Sequence, residues 1–150
     1  MDSDVELRLH NWSDFAYVCQ NMRKIDKKEL GFQQFTDDNY WVMPAYSTHA
    51  FIGTFKGDPF CAFGANETER AMHLWFFSTP TMAKHWHSAF TVATVFLDWL
   101  QENHFGKHVL VWTWQGHRPA RAWNWKLGFR PTRHSTRHNG ALFELWERRR

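Results

Sequence analysis

His117 to Phe129 reads HRPARAWNWKLGF, and the run before it, His108 to Trp114, reads HVLVWTW. The earlier run is apolar and alternates in the manner of a half-buried strand. The later run carries Pro119 near the start of a helical pattern, where a missing N–H costs nothing. Gly128 follows that pattern and can take the left-handed conformation that closes a helix. Phe129 and Arg130 then open another strand. Strand, short helix, glycine stop and strand form the frame onto which the rest of the chain is placed.

Upstream, Met72 to Ser78 (MHLWFFS) predicts a central strand, and a long helix follows Pro80 from about Met82 to Asn103. Trp86, Phe90, Ala93, Leu97 and Leu100 form one stripe of that helix. Ala89, Phe96 and Trp99 widen the stripe, so the helix packs on more than one side. Gly106 stops it. Strand, long helix, strand is a parallel crossover, expected to be right-handed. Two further strands, about Ala50 to Phe55 and Pro59 to Gly64, flank the tight turn Lys56-Gly57-Asp58. Asn66 to Arg70 makes a second turn.

Toward the N-terminus, Val5 to Leu9 alternates as a short strand. Ser13 is the expected N-cap of a helix running to about Ile25, with Phe15, Val18, Met22 and Ile25 on one face. Asp26 and Glu29 read as a capping box restarting a helix over Lys27 to Leu30. Thr36 to Tyr46 accommodates one more short helix, limited by Pro44. Downstream, strands near Phe129 to Ser135 and Ala141 to Arg148 join through Asn139-Gly140, whose residues both tolerate positive φ. The fold class is therefore α/β (α+β): a mixed, mostly antiparallel sheet of six or seven strands with a central long helix and flanking helices. At 150 residues the chain is expected to be one domain, 1–150.

Ten Trp and fourteen Phe point to an aromatic core. The start, MDSDVELRLH, is acidic and has no apolar leader, and Ala89 to Leu100 is too short and too interrupted to span a bilayer. The expectation is a protein neither secreted nor membrane-bound. Cys19 and Cys61 have no metal-ligand spacing and read as reduced, buried thiols. The pairs His85/His87 and His134/His138 lack completing ligands, so no metal is expected. No Ser-His-Asp pattern, phosphate-binding P-loop or dinucleotide fingerprint is present.

The net charge of +3 is unevenly spread. From Lys107 onward ten basic residues face only Glu144 and Glu147, a balance of +8, which leaves −5 for the first 106 residues. A basic C-terminal third suits an anionic partner: a nucleotide phosphate, an acidic protein surface or a nucleic acid. Nucleic acid is the weakest of these readings. Trp112, Trp114, Trp123 and Trp125 interleave with Arg118, Arg121 and Lys126 as base-stacking surfaces do, but their spacing suits core packing better.

The order of elements resembles the acetyl-transfer domains of the GNAT superfamily along nearly the whole chain. Four segments, NMRKIDKKEL (21–30), GDPFCAFGA (57–65), HLWFFSTP (73–80) and WNWKLGF (123–129), carry a narrower resemblance to phage GNAT-like proteins. Those include internal virion proteins of short-tailed phages. The resemblance implies a strand, Leu74 to Ser78, that splays from its neighbour and receives acetyl-CoA. It implies an anion site where the long helix begins, with Phe77, Ser78, Thr79, Thr81, Ala83, Lys84 and His85 as candidate cofactor-binding residues beside His117 and Asn124.

Two departures from that family pattern stand out. The loop Ser78 to His85 contains no glycine, and Pro80 removes a donor, so side chains crowd the approach of a pyrophosphate. In the terminal motif, Ala120, Lys126, Gly128 and Phe129 match. His117 stands where the family often has Asn, and Asn124 where it has the Tyr that protonates the leaving thiolate. An amide has no proton to release at useful pH. His117 could relay one, although a surface or capping role at the helix start is the simpler reading. No base is evident; Glu67 and Glu69, in the turn before the central strand, are the nearest carboxylates. These features predict a degenerate acetyl-CoA site on a phage protein acting in virion morphogenesis or by binding a phage or host protein. Its place would be the host cytoplasm or the virion interior. The alternative is an active acetyl-CoA-dependent N-acetyltransferase.

Overall fold

The computed structural model describes residues 4–148. The chain runs β1 (Val5–Leu9), α1 (Trp12–Gln20), α2 (Lys24–Phe32), α3 (Val42–Ala45), β2 (His49–Phe55), β3 (Asp58–Glu67) and β4 (Ala71–Ser78). A 3₁₀ turn (Pro80–Lys84) then leads into α4 (Trp86–Asn103), β5 (His108–Trp114), α5 (Arg118–Lys126), β6 (Phe129–His138) and β7 (Ala141–Arg148). The strands form one seven-stranded sheet ordered β1-β2-β3-β4-β5-β7-β6. β4 and β5 are parallel and joined through α4; every other neighbouring pair is antiparallel. This is the mixed α/β sheet with a long central helix that the sequence predicts.

Turn chemistry fixes the hairpins. Lys56 and Gly57 have φ of 50° and 85°, and Asn139 and Gly140 have 50° and 84°, the left-handed pairs that two-residue turns require. Other boundaries move. Asn11, not Ser13, caps α1, its side chain accepting the Asp14 N–H at 2.8 Å. α1 ends at Gln20, and the next helix begins already at Lys24. Asp26 and Glu29 therefore lie inside a helix and form no capping box. The third helix is a single turn around Pro44. The predicted long helix divides at His85, whose φ of −125° separates the 3₁₀ turn from α4.

Each face of the sheet buries one layer. On one side, Met72, Val109, Phe129 and Trp146 pack against Phe96, Leu97 and Leu100 of α4. On the other, Ile52, Ala62 and Phe77 meet Phe15 and Val18 of α1 and Leu30 of α2. A cavity of about 90 Å³, walled almost wholly by hydrocarbon from Phe60, Cys61, Phe63, Val92 and Phe96, lies under α4. Burial pushes the Cys61 thiol up to about 12, which leaves it inert. Cys19 is half-buried rather than buried, and burial also raises it to about 12. Among the described residues no helix is long and apolar enough to cross a membrane.

Gly64 faces Trp75 across the β3–β4 ladder. A Cβ there would lie 2.7 Å from the indole and 2.4 Å from the His49 carbonyl oxygen. Backbone stands on one side and a ring fixed by its Nε1–H bond to Ser47 Oγ (2.7 Å) on the other. Gly64→Ala is accordingly expected to cost about 1–3 kcal/mol through overpacking, read as a lowered midpoint in thermal unfolding.

Candidate active site

β4 and β5 pair only from Ala71↔His108 to Leu74↔Val111, although β4 continues to Ser78 and β5 to Trp114. Beyond Leu74 the strands part. Backbone hydrogen-bonding direction alternates along a strand. The Thr79 N–H donates to Phe60 O of β3, so Phe76 and Ser78 direct their groups the other way, toward β5. In an unbroken ladder the Trp114 N–H would donate to Phe76 O, and the Ser78 N–H to Trp114 O.

Neither bond forms. The Trp114 N–H donates to Glu29 Oε2 at 2.9 Å, and the Ser78 N–H to Asp26 Oδ2 at 2.9 Å. The Ser78 carbonyl accepts the Arg23 N–H at 2.8 Å, and the Trp114 carbonyl accepts the His117 N–H at 2.9 Å. Two carboxylates three residues apart share one face of α2 and replace the missing ladder partners. A buried amide without an acceptor is costly, so this substitution is what permits the strands to stay apart. Phe76 N–H, Phe76 C=O and Trp112 C=O are left facing the gap with no strand to pair with.

The gap holds a cavity of about 530 Å³. Its walls come from both faces of the sheet: Glu29, Phe35 and Met43 from the α2 side, and Ala83, Trp86 and Trp123 from the α4–α5 side. The space therefore runs between the two strands.

Asp26 anchors one wall and is 1% exposed. Arg23 grips it through Nε and Nη2 at 2.9 and 3.1 Å, and His117 Nε2 lies 2.6 Å from Oδ1. His117 Nδ1 accepts the Ala120 N–H at 3.1 Å, which caps α5. With Nδ1 filled, the ring proton sits on Nε2 and points at Asp26. His117 is thus a cap, but a buried one at 1% exposure. Its proton is directed at Asp26 and is not offered to the cavity. Burial alone would raise the Asp26 carboxyl; hydrogen bonds from His117 and Arg23, the Arg23 charge and the Ser78 N–H outweigh it and hold the group below its ordinary value.

Glu29 behaves in the opposite way. Burial raises its carboxyl to about 7, against the pull of His117, the Trp114 N–H and Arg23; Asp26 pushes in the same direction as burial. Oε2 is held by Trp114. Glu29 lines the cavity, and Oε1 has no hydrogen bond to the described residues. A carboxylate that exchanges its proton near neutrality, fixed at one oxygen and open at the other, has the properties of a general base.

The residues singled out from sequence fall into two groups. Phe77, Ala83, His117 and Asn124 line the cavity. Asn124 is buried, and its amide donates to Thr113 Oγ1 at 2.9 Å. Ser78 has both backbone groups taken and its buried Oγ unpaired. Thr79 is buried with its N–H on β3, and Thr81 and Lys84 are exposed. His85 stacks on Phe55, ring centroids 3.7 Å apart, and is not part of the cavity wall. Glu67 pairs with Lys107 and His104 at the far end of the β3–β4 ladder, opposite Met72, and Glu69 lies in the adjoining turn. Neither reaches the cleft: Met72 to Phe77 spans five residues of strand, about 16 Å.

Arg23, Asp26 and Glu29 were not legible as site residues. The available clue was Asp26 standing four residues before Leu30 and four after Met22, a carboxylate in an apolar stripe.

Much of the basic C-terminal third is bound internally. Arg148 reaches Asp98, Gln101 and the Leu127 carbonyl. Arg130 lies 3.6 Å over the Trp125 ring, and Lys126 Nζ 4.1 Å over Trp86. Arg121 is 3.8 Å from Glu144. Arg149 and Arg150 lie outside the described residues. Of the histidines considered for metal, His87 lies tilted against the Trp86 ring and His138 meets Phe143 edge to face.

No protein-family model matches the chain, and no curated protein does. Solved structures do match its fold. An acetyltransferase from Agrobacterium tumefaciens aligns with a TM-score of 0.77 at 13% identity, covering 100% of this chain and 93% of that one. A GNAT-family acetyltransferase from Bacillus anthracis aligns at 0.73 and 12%, covering 98% and 95%. The ribosomal-protein-S5-alanine acetyltransferase from Vibrio fischeri aligns at 0.70 and 14%, covering 97% and 93%. At these identities the likeness establishes the GNAT fold and nothing finer.

Proposed function

We propose that this GNAT-fold chain is an acyl-CoA-dependent N-acyltransferase in which Glu29 is the general base. The observation that carries the reading is a buried carboxyl, held at one oxygen by the Trp114 N–H, on the wall of a cavity that opens between splayed parallel strands; burial raises that carboxyl.

The residues present fit an acyl thioester with a long amide-bearing arm. Phe76 N–H and C=O and Trp112 C=O are unpaired strand groups of the kind such an arm completes. Lys84 and Thr81, exposed at the approach to α4, would supply a cation and a hydroxyl for its phosphates. Acetyl-CoA, when bound, supplies an activated acyl carbonyl and a thiolate leaving group.

Glu29 Oε1 accepts a proton from the amine as its nitrogen bonds to the acyl carbon, and the carbon–sulfur bond breaks. The Phe76 N–H is a backbone donor for charge developing on the carbonyl oxygen. Asn124, oriented by Thr113, offers an amide N–H to the departing sulfur without giving up a proton. The thiolate takes its proton from solvent, leaving an amide and a free thiol. Arg23, Asp26 and His117 position the strand ends and exchange no proton with the reactants.

One observation favours a second reading, a degenerate site that works by binding a phage or host partner. Trp86, the first residue of α4, lines the cavity with Lys126 over its ring, and no glycine opens the loop before it. Three of the four segments that resemble phage proteins, 21–30, 73–80 and 123–129, contribute Arg23, Asp26, Glu29, Trp75 and Asn124 to this cleft, so a phage origin, in a virion or an infected cell, accords with either reading.

Thermal unfolding with acetyl-CoA separates them. At a hundred times its dissociation constant the ligand stabilises by about 2.7 kcal/mol, a rise of roughly 5–10 °C for a domain of this size. Thiol release on adding an amine completes the case. An unmoved midpoint at millimolar acetyl-CoA leaves the partner-binding reading.

A further inference from the structure

The α2 side of the cleft has a chemistry that limits which amines it can receive. Trp75, Phe77, Phe35, Met43 and Leu30 give that wall its surface, and their rings and chains are apolar. The charged groups facing it come from α2 and its approach: Arg23, Asp26 and Glu29, with His117 behind them. Arg23 and Asp26 satisfy each other through two hydrogen bonds. Among the described residues of the α2 side that leaves no unpaired cation to receive a carboxylate or phosphate on the acceptor; Lys126, the cavity's other cation, stands over Trp86 on the α4–α5 side. The Arg23–Asp26 pairing also leaves one open carboxyl, Glu29, for one ammonium. A polyamine would bury a second ammonium against aromatic carbon without a counter-charge, which is expensive. A free amino acid would bring its carboxylate beside Asp26 and Glu29.

Resting on the acyltransferase reading, we infer that the acceptor is a small primary monoamine with a flat aromatic body and no carboxylate, its ring between Trp75 and Phe35 and its nitrogen at Glu29. The aromatic wall contributes stacking and a cation–π contact with the ammonium as it enters.

Equilibrium binding to the whole chain, measured by calorimetry without acetyl-CoA, tests this with four probes: phenethylamine, tryptamine, spermidine and phenylalanine. The two arylalkylamines are expected to bind at least about tenfold more tightly than the other two, a difference of about 1.4 kcal/mol. The Glu29→Gln protein should lose that preference while unfolding as cooperatively as the parent. Tighter binding of spermidine or phenylalanine, or no binding of either arylalkylamine, overturns the inference. Arylalkylamine binding without thiol release on adding acetyl-CoA sustains the aromatic amine site and removes the acyltransferase reading instead.

Discussion

Replacing Glu29 by Gln is expected to lower kcat/KM for acyl transfer by about 10²–10⁴-fold, the usual contribution of a positioned base. The amide keeps the oxygen that accepts the Trp114 N–H, so the fold and cleft persist while the proton acceptor is lost. On the acyltransferase reading the parent protein should gain activity as pH rises through about 7, where Glu29 ionises; the variant should lose that limb. Stability provides an independent readout. In the unfolded chain this carboxyl ionises near 4.5, in the folded chain near 7. Between those values the native state holds a proton that the unfolded state has released, so stability falls as pH rises through that window and levels above it. Glu29→Gln removes the slope, and the variant should gain on the parent between pH 5 and 8. Unchanged activity with an intact acid limb would remove Glu29 from the chemistry.

Asp26→Ala is expected to produce the largest loss of stability, about 3–5 kcal/mol, or roughly 10 °C in midpoint. It strands the Arg23 guanidinium, the His117 Nε2–H and the Ser78 N–H together, all of which meet at this carboxylate. Breaking a buried pair by removing one partner is far costlier than never having built it. The pH dependence runs opposite to that of Glu29. Because the folded carboxyl lies below its ordinary 3.8, its stabilisation is fully present above that value and is lost as pH falls through the folded one. Acid unfolding of the Asp26→Ala protein should therefore show a shallower approach than the parent. A midpoint within about 2 °C of the parent, about 0.5–1 kcal/mol, would show that the contacts of Asp26 with Arg23, His117 and Ser78 do not hold the strands.

The sheet was legible because its determinants are local. Alternation in HVLVWTW, the glycine after WNWKL and the Asn139-Gly140 turn each act within a few residues. The splay could also be placed, at Leu74 to Ser78, through family likeness. The carboxylates of α2 could not. Asp26 and Glu29 have the spacing of a helix cap, and only tertiary contact turns them onto the ends of strands distant in sequence. His117 was hidden for the same reason: a histidine opening a helix looks exposed until Asp26 covers it. Glu67 attracted notice by standing beside the central strand, but a strand has two ends, and composition does not say which one gapes.

The bonds that prop the sheet open join residues far apart in the chain, 85 positions between Glu29 and Trp114 and 91 between Asp26 and His117. A nascent chain emerging from the ribosome can form α1, α2 and the β2–β4 meander well before either contact becomes available. Contacts closing such long loops are entropically deferred. The gap between the strands should therefore mature last, so the exchange protection of the Trp114 amide would time its completion rather than the formation of the early meander.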